Sequence, residues 1–167
     1  MVNEQSISVA NIWKIVETIP DPEIPVISIV ELGVVREVKI ENDIIEIIIT
    51  PTYIGCPAMD MITMHIKLAL MEAGFKNVKV TSVLSPAWTT DWMTEETKNK
   101  LKAYGIAPPN TKQIVCTPDL FIQDEAVACP HCNNFNTKMV SRFGSTACKA
   151  LYFCNNCNEP FDYFKCH

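Results

Sequence analysis

The sequence reads as an α+β protein in two parts: a small αββαβα domain with a mixed sheet over residues 1–104, and a metal-clamped ribbon over 129–167, joined by a tether at 105–128. Three observations predict this. Apolar residues recur with helical and strand periods in the order helix, strand, strand, helix, strand, helix. The next segment holds three prolines and no clear period, and two Cys-x-x-Cys pairs follow with 21 residues between them.

Ser8 offers an N-cap to a first helix reaching about residue 18, where Val9, Ile12, Trp13 and Val16 fall at helical spacing. Pro20 and Pro22 end it. The turn Asp21-Pro22-Glu23-Ile24-Pro25 leads to a strand at 34–40 with Val34, Val38 and Ile40 on one face, and Asn42-Asp43 makes a hairpin turn. The return strand, 44–50, is nearly all β-branched, as expected of a strand covered on both sides. After a loop, residues 57–73 form a helix apolar on most faces and closed by Gly74, so the pattern predicts that it lies under other structure. A third strand at 78–84 can pair in parallel with the second through that helix, by a right-handed crossover. Thr94 caps a polar helix running to Tyr104.

The tail is carried by Cys129-Pro130-His131-Cys132 and Cys154-Asn155-Asn156-Cys157. Each turn aims two thiolates at one point, and Asn133 and Asn158 follow where such turns take a left-handed backbone. Cys129, Cys132, Cys154 and Cys157 thus predict a tetrahedral zinc site, with zinc preferred over the iron that rubredoxin-type sites hold on similar pairs. Four thiolates leave no position for water, so the ion is structural and the fold is a zinc ribbon. Its hairpin strands are expected at 137–143 and 149–153, with Phe161, Tyr163 and Phe164 beside the metal.

The 167 residues are 48% hydrophobic and 20% charged, which suits one compact domain and a small appendage. There is no run of about 18 apolar residues for a membrane span and no signal-peptide pattern at Met1-Val2-Asn3-Glu4-Gln5, so a cytoplasmic location is expected. The remaining cysteines, Cys56, Cys116, Cys148 and Cys166, show no disulfide framework, which fits a reducing compartment. Residues 1–128 carry a net charge of −7 and residues 129–167 a net of +2. The acidic body disfavours nucleic-acid binding.

Cys56 precedes Pro57 at the start of a helix, where unpaired amides and the helix dipole favour a thiolate; it is either reactive or metal-ligating, or a small residue under a loop. Asp60, one turn on, opposes ionisation of that thiol. Asp21 and Glu23 sit in a proline-rigid turn and can cap, hydrogen-bond the loop or bind metal, capping being the commoner use. Cys148 is an extra thiol near the metal, a separate redox site or a buried small residue, and the last reading is preferred. His65 and His131 read as ordinary helix and knuckle residues, while Cys116, Cys166 and His167 lie in tether and tail. Trp88 and Trp92 either cover the sheet or form a docking surface. No Gly-rich phosphate loop, serine–base arrangement or nucleotide fingerprint is present, so nothing points to self-contained catalysis.

Five segments carry a family resemblance: Asp21-Pro22-Glu23-Ile24-Pro25, Glu31-Leu32-Gly33-Val34-Val35-Arg36, Gly55-Cys56-Pro57-Ala58-Met59, residues 85–92, and residues 143–150. Over almost its whole length the chain resembles the PaaD family (also PaaJ) of bacterial phenylacetyl-CoA oxygenase systems. Its N-terminal domain is similar to the iron–sulfur assembly factors that include SufT, in which the Asp-Pro-Glu turn and the cysteine matching Cys56 are characteristic. The resemblance implies an accessory subunit in aerobic phenylacetate degradation, with oxygenase and reductase subunits as partners and a homodimer as a further expectation. It also implies that Cys56, aided by Asp21 or Glu23, transiently handles iron or an iron–sulfur cluster destined for those partners. The chain lacks the paired Glu and Glu-x-x-His helices of a di-iron bundle, so it is not expected to hold the oxygenase centre. Two other readings compete: a non-chemical scaffold that docks the oxygenase, and a general iron–sulfur maturation factor.

Overall fold

A computed structural model of the chain describes residues 8–109 and 127–165. Most of the tether, with Cys116, and also Cys166 and His167, lie outside the described residues. The chain divides into two compact units. The N-terminal unit comprises Met1–Pro51 and Pro57–Pro86; the ribbon unit comprises Thr52–Cys56 and Ala87–His167.

The N-terminal unit begins with α1, Val9–Glu17, whose first turn is held by the Ser8 hydroxyl accepting from Asn11 N–H at 3.2 Å. Strands β1, Val35–Glu41, and β2, Ile44–Ile49, pair antiparallel across Asn42 and Asp43, both of which adopt positive φ as a tight hairpin turn requires. Helix α2, Ala58–Glu72, then carries the chain to β3, Val78–Ser82, which pairs with β2 in parallel. The sheet order is β1-β2-β3, and α1 and α2 supply its apolar cover through Ile12, Val16, Ile62, Ile66 and Leu70, all essentially buried.

Two burial expectations are corrected here. β2 is buried on one face only: Ile45, Ile47 and Ile49 are inside, while Ile44 is 46% exposed and Glu46 and Ile48 are half-buried. A run of isoleucines hides the period-two alternation that normally reveals a one-sided strand. Nor does α2 lie wholly under other structure. It buries Ala58, Ile62, Ile66 and Leu70 at four-residue spacing and leaves Met61, Met64, Leu68 and Met71 in solvent.

In the ribbon unit, a single 3₁₀ turn at Thr90–Trp92 leads to α3, Glu95–Ala103, capped by the Thr94 hydroxyl accepting from Thr97 N–H at 3.1 Å. Ile106–Ala107 form β4, so the segment that composition reads as tether contributes a strand too short to show any period. Strands β5, Thr137–Ser141, β6, Lys149–Cys154, and β7, Pro160–Phe164, complete a sheet of order β4-β7-β6-β5, with β4 parallel to β7 and the other pairs antiparallel. Its core gathers Ala107, Val127, Ala150, Tyr152 and Phe161 around Cys129 and Cys154. Tyr152 stacks on Phe161 at 5.8 Å and meets Tyr163 edge-on at 5.5 Å. Among the described residues no helix is long and apolar enough to cross a membrane.

Candidate metal centre

The two cysteine turns are built alike. In the first, Asn133 N–H donates to Cys129 C=O at 2.9 Å and Cys129 N–H to Asn134 C=O at 3.0 Å; in the second, Asn158 N–H donates to Cys154 C=O at 2.9 Å and Cys154 N–H to Glu159 C=O at 3.0 Å. Asn133 and Asn158 hold φ of 60° and 59°, the left-handed backbone that lets each turn close behind its sulfurs. The Sγ atoms of Cys129, Cys132, Cys154 and Cys157 all lie within 4.8 Å of one another. Cys129 Sγ is 3.7 Å from Cys157 Sγ, and Cys132 Sγ is 3.6 Å from Cys154 Sγ. A tetrahedron with metal–sulfur bonds of about 2.3 Å has edges of about 3.8 Å, so the cage has the size that such an ion fills.

The sulfurs are chemically unequal. The Asn134 N–H on Cys132 holds that thiol down to about 7, while lost hydration, with the Cys154 sulfur close by, pushes Cys157 up to about 12. Burial pushes Cys129 up as well. Thiols that retain their protons at neutral pH must release them to bind a cation, so metal affinity rises with pH. With Cys129 and Cys157 both protonated near neutrality, and Cys132 taking up its proton as pH falls through about 7, apparent zinc affinity is expected to fall by at least about a hundredfold per unit of pH lowered from about 8 to about 6, more steeply below 7 than above it. Competition with a chelator of known proton linkage measures this; a pH-independent affinity contradicts it.

Cys148 lies outside this four-sulfur group. It is buried at the start of the β6 hairpin arm, 3.1 Å from the Thr146 hydroxyl. The loop before it is clamped by Asp162, which no local sequence pattern singles out. Asp162 accepts from the Ser145 hydroxyl at 2.8 Å and faces Lys149 Nζ at 3.8 Å, and a Cβ on Gly144 would come within 2.5 Å of its carboxylate. Lys165 donates to Arg142 C=O and lies 4.3 Å over the Phe143 ring. Two of the ribbon's four basic residues, Lys149 and Lys165, are thus buried and withheld from a phosphate partner.

Trp88 is 2% exposed and meets Phe164 edge-on at 5.8 Å, so it covers the ribbon sheet; Trp92 is half-buried. Cys56 is half-buried, its N–H donating to Tyr53 C=O at 3.3 Å in a loop, Thr52–Cys56, that groups with the ribbon unit. Asp21 is buried in the N-terminal unit. Its Oδ1 accepts from Glu23 N–H at 3.0 Å and Ile24 N–H at 2.8 Å, while its own N–H donates to Ile27 C=O at 2.9 Å. Ser28 and Glu31 cap one another reciprocally a few residues on, at 2.9 and 3.1 Å, a pairing absent from the sequence-based expectations although Ser-x-x-Glu signals it. Asp21→Ala leaves two donors of this turn without their acceptor and is expected to cost the N-terminal unit about 2–4 kcal/mol, with Asp21→Asn milder, as urea denaturation will show.

Comparison with known proteins follows this division. Residues 10–83 match the iron-sulfur cluster assembly protein family and residues 116–165 match the PaaD zinc beta ribbon domain. The chain is 48% identical over 158 residues to an Escherichia coli protein named as the putative D component of 1,2-phenylacetyl-CoA epoxidase, covering 95% of this chain and 93% of that one. The chain belongs to the PaaD family. The same PaaD-family chain is 33% identical over 98 residues to an Fe-S protein maturation auxiliary factor from Porphyromonas gingivalis, covering 58% of this chain and 92% of that one. Its fold is similar to the crystal structure of a domain of unknown function, DUF59, from Bacillus anthracis, with a TM-score of 0.52 and 29% identity over 56% of this chain and 90% of that one. Metal binding by the PaaD-family ribbon is therefore indicated twice, by the family it matches and by its converging sulfurs.

Proposed function

We propose that this chain is an accessory subunit of a multicomponent phenylacetyl-CoA oxygenase in aerobic phenylacetate degradation, and that it assists iron or iron–sulfur cluster assembly of its partner subunits. The observation that carries the reading is the fusion in one chain of an assembly-factor domain with a PaaD ribbon, together with identity along nearly the whole chain to a relative named as an epoxidase component. Zinc, held by Cys129, Cys132, Cys154 and Cys157, fixes the ribbon and takes no part in turnover, because four thiolates complete its shell. The cargo is iron or a cluster. Cys56 is the thiol proposed to take it up: loss of the Sγ proton gives a thiolate that binds iron and later yields it to a partner. The hydrogen bonds at Asp21 support a turn-holding role for that carboxylate, so the handling step rests chiefly on Cys56, with Glu23 as the acidic candidate beside Asp21.

The test is Cys56→Ser, co-expressed with the oxygenase and reductase subunits. Circular dichroism and ribbon zinc are expected to be unchanged while the iron or sulfide content of a partner falls by more than half. Normal partner loading removes the handling role and leaves the scaffold reading, under which the chain copurifies stoichiometrically with the oxygenase whatever stands at position 56.

A further inference from the structure

The four sulfurs of the cage are not equally covered. Cys129 and Cys154 are fully buried, whereas Cys132 and Cys157 are half-buried, so the cage meets solvent on one side. Ligand exchange starts where a competing donor or an electrophile reaches a sulfur, and that is the side of Cys132 and Cys157. Four thiolates on a divalent ion also leave an anionic cluster, which hydrogen-bond donors stabilise.

The two spacer residues of the second knuckle, Asn155 and Asn156, are exposed, and both reach across to the first. Asn155 donates twice to Asn136, from its N–H to the C=O at 2.9 Å and from Nδ2 to Oδ1 at 3.1 Å. Asn136 is itself held, its N–H donating to Asn134 Oδ1 at 2.7 Å. With its neighbour fixed in this way, Asn156 sets its Nδ2 on Cys132 Sγ at 3.7 Å, the donor turned toward the sulfur. The amide has one favourable orientation there, because its oxygen would face a negative thiolate. Pro130 and His131, at the matching positions of the first knuckle, carry no carboxamide.

We infer that Asn156 is a positioning residue that locks the ion in: its carboxamide holds Cys132 on the metal, and without it the cage opens at that one sulfur. The ribbon thereby keeps its zinc apart from the iron proposed to pass through the same chain. The inference rests on the zinc reading of the cage and is independent of Cys56.

The test starts from the intact, zinc-loaded chain mixed with excess of a colorimetric zinc chelator. Asn156→Ala is expected to release zinc about tenfold faster than wild type, the low end for loss of a donor to a metal ligand because this one is exposed. Asn156→Asp, which puts a carboxylate against the anionic cluster, is expected to release it faster still. A second readout is specific to the sulfur. With sub-stoichiometric iodoacetamide, the ratio of first adducts on Cys132 to those on Cys157, read by peptide mass spectrometry, is expected to rise about tenfold in Asn156→Ala. A knuckle that is merely loosened exposes both thiols alike and leaves the ratio unchanged. An unchanged ratio, or a release rate indifferent to Asn156→Ala, overturns this inference alone; a wild-type chain that holds no zinc overturns the reading of the cage with it.

Discussion

Extraction of the ion from the four-cysteine cage is expected to unfold the ribbon and leave the N-terminal unit standing. The sheet β4-β7-β6-β5 encloses a core of a few side chains, with Cys129 and Cys154 themselves fully buried within it. A structural zinc contributes about 10–16 kcal/mol in comparable small domains, and whole domains are stable by only about 5–15 kcal/mol. Without the cation, thiols crowded to 3.6 and 3.7 Å lose the charge that holds them together. Cys154→Ala is expected to act as a strong chelator does. Heating should show one transition lost and one retained, the latter from the isoleucine core of α1, α2 and the β1-β2-β3 sheet. A single cooperative melt that the chelator does not alter contradicts this.

Trp88→Ala is expected to be the most damaging single change away from the cysteines. The indole is 2% exposed and its edge-on contact with Phe164 joins the segment before α3 to β7. Truncating a buried aromatic of this size costs about 3–5 kcal/mol, a large share of what a small unit has. The ribbon transition of the zinc-loaded chain should fall by roughly 15–30 °C, while the N-terminal transition stays in place. Trp92→Ala, at a half-buried site, should cost much less. Equal shifts for the two variants would show that the Phe164 contact is not what makes Trp88 matter.

What could be read from the sequence was what is local. Each knuckle is four residues of fixed chemistry followed by an asparagine, and the hairpin at Asn42-Asp43 and the caps at Ser8 and Thr94 are equally short-range, so their geometry followed from residue type and spacing. Facing was less legible. The isoleucines of β2 and the methionines of α2 say that a segment is apolar but not which side meets the core, and only the structure separates Ile62 and Ile66 from Met64 and Leu68. Least legible were contacts made across long stretches of chain. Nothing near Trp88 announces Phe164, nothing near Gly144 announces Asp162, and two residues of β4 are too few to carry a period. For Asp21, both capping and ligation were open from sequence; two backbone donors on one carboxylate oxygen favour the cap.

The central claim, a closed zinc tetrathiolate to which the loop thiol Cys56 contributes no ligand, is tested most directly by metal analysis with X-ray absorption on the purified chain and on Cys56→Ser. The account predicts one zinc per chain with four sulfurs at about 2.3 Å, identical in both proteins. Iron in the cage, a nitrogen or oxygen ligand in its shell, or loss of the zinc on substituting Cys56 would contradict it.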